Sequence, residues 1–241
     1  MQIVDNRALR IKVRNPNKIL TSIPRSKQLS ENEVLVKWGV DEARVLRNLN
    51  VKGVPSPILG RYEWTGMHKP FDHQKTTSSF LTMNQRAFCF NEQGTGKTAS
   101  AIWASDFLMK QGIIRRALII CPLSIMDSAW RADLFTFAMH RTVDIAHGPR
   151  EKREKIIRGG ADYVVINYDG VEIVRDAIAE GGFDLIIADE ATHYKNTQSK
   201  RWKVLNSLVE PNTWLWMMTG TPAAQSPVDA YGLAKLVSPK N

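Results

Sequence analysis

From residue 86 onward, short apolar runs alternate with amphipathic segments of helical length. The runs are RAFCF (86–90), RALIICP (116–122), VDIAHG (143–148), DYVVINY (162–168), FDLIIADE (183–190) and TWLWMMTG (213–220). Strands rich in Val, Ile and Leu that alternate with helices are the pattern of strand-helix-strand units on a parallel sheet covered on both faces. The helical candidates between them are TASAIWASDFLMK stopped by Gly112, SIMDSAWRADLFTFA, PREKREKIIR started by Pro149, VEIVRDAIAE stopped by Gly181, and SKRWKVLNSLVE. A final helix is expected in SPVDAYGLAKLV. The pattern predicts an α/β lobe over 61–241.

The first 60 residues read differently. In ALRIKVR, Leu9, Ile11 and Val13 alternate with Arg10, Lys12 and Arg14, so a strand there buries one face and presents a cationic one. DEARVLRNLNVKG predicts a short helix capped by Asp41 and stopped at Gly53, and GVPSPILG marks a linker or boundary near 53–60. A small basic α+β domain over 1–60 is therefore expected before the lobe. No internal repeat or low-complexity tract is present.

Composition narrows the picture. With 241 residues, 43% hydrophobic and 24% charged, the chain has the make-up of a soluble globular protein. No uninterrupted apolar run reaches the ~18 residues of a membrane span, and the charged start MQIVDNRALRIKV is unlike a secretory signal. An intracellular protein, cytoplasmic or nucleoid-associated, without a membrane or disulfide partner is expected. Cys89 and Cys121 each lie in an apolar run, which predicts buried, reduced thiols. The net charge of +9 is uneven: residues 1–70 carry 13 Lys/Arg against 6 Asp/Glu, whereas residues 71–241 carry 20 against 18. A basic segment beside a nearly neutral one suggests a polyanion such as nucleic acid; the alternative is a solvated basic surface.

Three short stretches carry candidate chemistry. In FNEQGTGKTAS, Asn91 stands where a strict G-x-x-x-x-G-K-[ST] loop has Gly, yet a strand precedes and a helix follows. In that context backbone N–H groups and a helix N-terminus can surround phosphates. Gly94 and Gly96 allow the tight path, with Thr95 between them; Lys97 supplies a cation and the Thr98 hydroxyl can ligate Mg²⁺. FDLIIADEATHYKN delivers Asp189 and Glu190 at a strand end, where one carboxylate holds a metal and the other orients the attacking water. Thr219, Gly220 and Thr221 in MMTGTPAAQSP form a hydroxyl-bearing strand tip that can sense the γ-phosphate.

The ordered series HKPFDHQ, NEQGTGKT, ALIICPLSIMDSAW, HGPR, VVINY, DEATHYKN and TGTPAAQSPVDAYGLAKLVSP resembles helicase superfamily two. Within it, the series is most similar to the Snf-type (Swi/Snf-like) double-stranded DNA translocases, over roughly residues 68–239. The resemblance implies a RecA-like first motor lobe, ATP and Mg²⁺ as cofactors, and double-stranded DNA as partner. It implies that Gln74 reads the adenine edge and that Lys97 and Thr98 contact phosphate and Mg²⁺. Asp189 and Glu190 would serve metal and water, and Thr219 and Thr221 coupling. Pro122, Leu123 and Ser124 match a loop that touches the DNA backbone, and Asn167 and Tyr168 a further DNA-contacting motif; strand-end packing is the alternative for this last pair. Two other functions remain open: an RNA-directed helicase lobe and a non-catalytic nucleic-acid-binding module.

Departures from the family pattern carry expectations of their own. The acidic motif has Thr192 where the family has His, with His193 next to it. The family also uses a second RecA-like lobe carrying arginine fingers, which are worth ~10³–10⁵ in rate; a chain ending at SPKN is expected to bind ATP but hydrolyse it weakly alone. Trp103, Trp130, Trp202, Trp214 and Trp216 are expected in the core, whereas Trp38 and Trp64 could stack on a base.

Overall fold

The computed structural model describes residues 1–221 and 229–238; the start of the expected last helix, at 226–228, lies outside them. The chain divides into two units, Met1–Glu63 with Ser78–Asn84, and Trp64–Thr77 with Gln85–Asn241.

In the first unit, β1 (Gln2–Val4), β2 (Ala8–Lys12), β3 (Lys27–Ser30) and β4 (Glu33–Lys37) form an antiparallel sheet of order β1-β2-β4-β3. Helices α1 (Pro16–Ser22), α2 (Val40–Asn48) and α3 (Ile58–Arg61) complete it. The alternation in β2 works as expected, since Leu9 and Ile11 are buried with Ile19, Val34, Val36 and Leu46. The cationic stripe is shorter than expected. Strand β2 ends at Lys12, so Arg14 lies beyond it, and Arg10 Nη2 is bound to Glu33 Oε2 at 2.6 Å.

Other local expectations for this unit are corrected. Gly39, not Asp41, precedes the first turn of α2, and Asp41 lies inside that turn, where a carboxylate still suits the helix dipole. Asn50, at φ 63°, turns the chain after α2 ahead of Gly53. The segment 53–60 is packed rather than a free linker: Ile58 is fully buried and Ser56 Oγ lies 2.7 Å from Thr82 Oγ1. Trp38 is a core residue whose Nε1 donates to Pro55 O, so its ring is not a stacking platform.

The second unit is built on β5 (Arg86–Cys89), β6 (Ala117–Cys121), β7 (Val143–Ile145), β8 (Tyr163–Asn167), β9 (Leu185–Ala188) and β10 (Trp214–Met218). They form one parallel sheet of order β5-β10-β9-β6-β8-β7. Every residue of the four central strands is buried, which explains their near-continuous apolar sequences. The edge strands β5 and β7 are only half-buried and read as mixed. Helix α4 (Asp72–Met83) precedes the sheet; α5 (Lys97–Lys110), α6 (Ala132–Phe137), α7 (Arg150–Arg158), α8 (Tyr168–Ile173), α9 (Arg175–Glu180), α10 (Lys200–Leu208) and α11 (Asp229–Val237) follow its strands.

Two helices expected to be continuous are broken. SIMDSAWRADLFTFA becomes a 3-10 turn at Leu123–Ile125, a π-helical turn at Met126–Arg131 and then α6. VEIVRDAIAE splits at Val174, whose φ of −121° leaves the helical region between α8 and α9. Three β-branched residues in VEIV weaken the helix there. Cys89 and Cys121 are buried free thiols, and burial raises both pKa values. Trp64 meets the buried Trp103 edge-on at 5.8 Å between ring centres. Among the described residues no helix is long and apolar enough to cross a membrane.

A buried charge anchors α5. Asp106 is fully buried and accepts from Arg141 Nε at 2.7 Å and His140 Nε2 at 2.8 Å, with Lys110 Nζ at 3.2 Å. Removing one partner of a buried ion pair strands the other and typically costs ~3–5 kcal/mol. Asp106→Ala should therefore lower unfolding stability by about 3 kcal/mol in a urea titration; a loss within the few tenths seen for surface changes would mean that the network contributes nothing net.

Candidate nucleotide-binding site

Parallel pairing brings the C-terminal ends of all six strands to one edge of the sheet, where ligands bind in folds of this type. At that edge lie 90–96 after β5, Thr219–Thr221 after β10, Asp189 and Glu190 after β9, Pro122–Ser124 after β6, and Asn167 with Tyr168 at the end of β8.

The loop after β5 needs its glycines. Gly94 and Gly96 have φ of 76° and 74°, and a Cβ on Gly96 would collide with the Gln74 amide. Helix α5 then starts at Lys97, with its first N–H groups facing the loop. Lys97 Nζ is turned back onto the loop, donating to Asn91 O and Glu92 O at 2.9 Å each, and Thr95 Oγ1 donates to Glu92 O. Gln74 Nε2 donates to Thr95 O at 3.3 Å while its Oε1 accepts from Phe71 N. The His73 ring also reaches Thr95 O and stacks on the exposed Phe71 ring.

These groups line an open cleft of about 420 Å³ that joins Gln74, Gly94, Gly96, Lys97 and Thr98 to Asp189 and Glu190. The two sequence motifs thus face one space. Asp189 is buried: Oδ2 accepts from Trp130 Nε1 at 2.9 Å and Oδ1 from the Glu190 N–H at 3.0 Å. Burial raises its pKa, and the Trp130 and Glu190 donors with the Lys97 charge offset only part of that. Glu190 itself adopts φ 48°, ψ 56°, a left-handed backbone that costs a non-glycine residue of order 1 kcal/mol and is found at functional turns.

The end of β10 packs directly on the phosphate loop. Thr219 N–H donates to Cys89 O, Thr219 Oγ1 accepts from Thr221 N–H at 3.1 Å, and a Cβ on Gly220 would lie 3.2 Å from Gln93 Cγ. Leu123 and Ser124 are exposed after β6. Asn167 and Tyr168 are not: Asn167 Oδ1 accepts from the buried Arg153, and Tyr168 donates to Asp189 O. Their side chains are used within the lobe, which is the strand-end packing alternative. His193 lies 4.5 Å from the Tyr168 ring and near Arg201, and burial followed by the Arg201 charge lowers its pKa.

Three contributors were not legible in the sequence. Trp130 reads as a core residue, and nothing in its sequence context marks its bond to Asp189. Asn91 Nδ2 donates to Thr77 Oγ1 at 2.8 Å, tying the loop to the helix that carries Gln74. Arg153 reads as a solvated helix charge but is 7% exposed, donating to Gly148 O, Ala146 O and Asn167 Oδ1. Nothing local in REKREK marks it.

The family model of the SNF2-related domain matches residues 73–241. A Caenorhabditis elegans homolog of SWI/SNF-related matrix-associated actin-dependent regulator of chromatin subfamily A-like protein 1 is 24% identical over 81% of this chain and 28% of its own length. The Bacillus subtilis uncharacterized ATP-dependent helicase YqhH is 26% identical over 86% of this chain and 35% of its own. The solved Sulfolobus solfataricus SWI2/SNF2 ATPase core in complex with double-stranded DNA aligns with a TM-score of 0.66 at 25% identity, covering 73% of this chain and 37% of that one. The chain spans about a third of the length of these relatives. A match that runs through both acidic and phosphate-loop motifs, on a sheet that brings them to one cleft, makes this chain a member of the SNF2-related family.

Proposed function

We propose that residues 61–241 are the ATP-binding first motor lobe of an ATP-dependent double-stranded DNA translocase. The observation that carries this reading is the convergence of Lys97, Thr98, Asp189 and Glu190 on one cleft. The residues present fit Mg²⁺-ATP. Two left-handed glycines leave room for phosphates against the start of α5, and a buried carboxyl that is costly to ionise without a cation faces the same cleft. Thr98 and Asp189 would hold the magnesium ion, which supplies positive charge to the phosphate oxygens.

In this reading Lys97 leaves its two loop carbonyls for the β- and γ-phosphates, and Gln74 exchanges its bond to Thr95 for the adenine edge. Glu190 orients the attacking water. Gly220, in contact with Gln93, carries the state of the loop to Thr219 and Thr221. Leu123 and Ser124, exposed at the same sheet edge, meet the DNA backbone, where small donors suit phosphates. The solved relative with double-stranded DNA supports that partner over RNA. Hydrolysis at speed and movement then require a second RecA-like lobe to close on this one, and the small unit over 1–60 acts as a DNA-binding accessory. A motor working on DNA acts inside the cell.

Two substitutions test the nucleotide reading in this chain. Lys97→Ala should abolish measurable Mg²⁺-ATP binding in calorimetry, a drop of at least about tenfold for a lost charged phosphate contact; unchanged affinity would sink the reading. Gln74→Ala should weaken ATP binding while leaving GTP binding unaltered, erasing the preference between them. An equal loss for both nucleotides would show that Gln74 supports the loop through Thr95 rather than reading the base.

A further inference from the structure

The first unit contains a second cleft that the nucleotide site does not use. It encloses about 350 Å³ between the end of β2, α1 and the turn after α2, and its rim carries Lys12, Arg14, Lys18 and Lys52. Its floor carries apolar surface from the half-buried Val13, Leu49 and Val51, seated on the core residues Ile11 and Ile19. Among the described residues no Asp or Glu lines it.

The local chain path explains the assembly. Strand β2 stops at Lys12, Pro16 starts α1 four residues later, and Lys18 sits in its first turn. On the far side, Asn50 turns the chain through the left-handed region, and Val51 N–H closes onto Leu46 O, so that Lys52 arrives at the rim. Four cations thus gather from three separate segments.

The neighbouring charges are distributed differently. Arg10 is bound to Glu33, Lys37 lies 3.8 Å from Glu42 and Arg44 4.0 Å from Asp41. Among the described residues none of the four rim cations is in an ion pair, and all four are exposed. Glu33 stands opposite Lys12 in the sheet but is held by Arg10, and like charges gathered at one rim repel one another, so the arrangement favours a polyanion that neutralises several at once. A small hydrated anion gains nothing from Val13, Leu49 and Val51. A phosphodiester strand does, because its sugar carbons can cover the apolar floor while successive phosphates meet the rim.

We propose that this cleft is a nucleic-acid backbone site, in which Lys12, Arg14, Lys18 and Lys52 neutralise consecutive phosphates and the apolar floor receives a sugar. It replaces the Arg10, Lys12 and Arg14 stripe expected from the sequence, because Arg10 is already paired. The site stands whether or not the second unit binds ATP.

The test is the salt dependence of binding by the full chain, without nucleotide, to a fluorescein-labelled DNA duplex and to its isolated single strand. Each phosphate contact contributes about 0.9 to the slope of log K against log salt for duplex and about 0.7 for a single strand. Lys18→Ala/Lys52→Ala should therefore lower the slope by about 1.8 or about 1.4, respectively. A fall with one probe or with both supports the site and says which form of backbone it accepts. Arg10→Ala/Lys37→Ala removes the same charge from paired positions and should change the slope far less. An unchanged slope in the first double variant, or an equal fall in the second, overturns the proposal. ATP affinity and melting temperature should be unaltered in both variants, which separates a failure here from a failure of the nucleotide reading.

Discussion

The site depends on where one late strand enters the sheet. Strand β10 pairs in parallel with β5 on one side and β9 on the other, with Met218 opposite Cys89 and Met217 opposite Ala188. That register brings Thr219 out between the phosphate loop and the acidic pair, with its N–H held by Cys89 O. A one-residue slip would turn every side chain of a fully buried strand to the other face, so the register is strongly specified. The same pairing joins segments more than a hundred residues apart in sequence. Phosphate loop and acidic motif therefore acquire their mutual geometry only when the last strand is in place.

Around that frame the lobe carries two unfavourable arrangements at the cleft. Asp189 is buried where ionisation is costly, and Glu190 is held in a left-handed turn. Each is retained by neighbours that leave it little alternative: Trp130 and the Glu190 N–H on the Asp189 oxygens, and Tyr168 on the Asp189 carbonyl. Such features cost stability in the free protein, and a cation in the cleft would relieve the first of them. Tyr168 thereby serves the site from behind it.

The sheet was legible in the sequence because its central strands are buried on both faces and so read as unbroken apolar runs. The phosphate loop and acidic pair were legible because their chemistry is local: glycines, a lysine, a hydroxyl and two carboxylates at fixed spacing. What escaped was set by partners distant in sequence. Arg10 reads as a free cation until β4 brings Glu33 beside it, and Trp38 reads as a candidate base platform until Pro55 accepts its N–H. The helix break at 123–131 also follows from a tertiary demand, since it lets Trp130 reach Asp189, whereas the break at Val174 coincides with a local β-branched run. Periodicity carries no record of such demands.

The position of Lys97 bears on how tightly any anion can be held. Its ammonium already satisfies two loop carbonyls, so the loop is its own competitor. On the proposed role of Lys97, an incoming phosphate would not meet a waiting charge; it would enter an exchange in which two neutral acceptors are given up for an ionic one. The net affinity is the difference between those two states, and the carbonyls of Asn91 and Glu92 set its zero. When the anion leaves, the lysine has a bonded position to return to, so release does not leave a desolvated cation stranded.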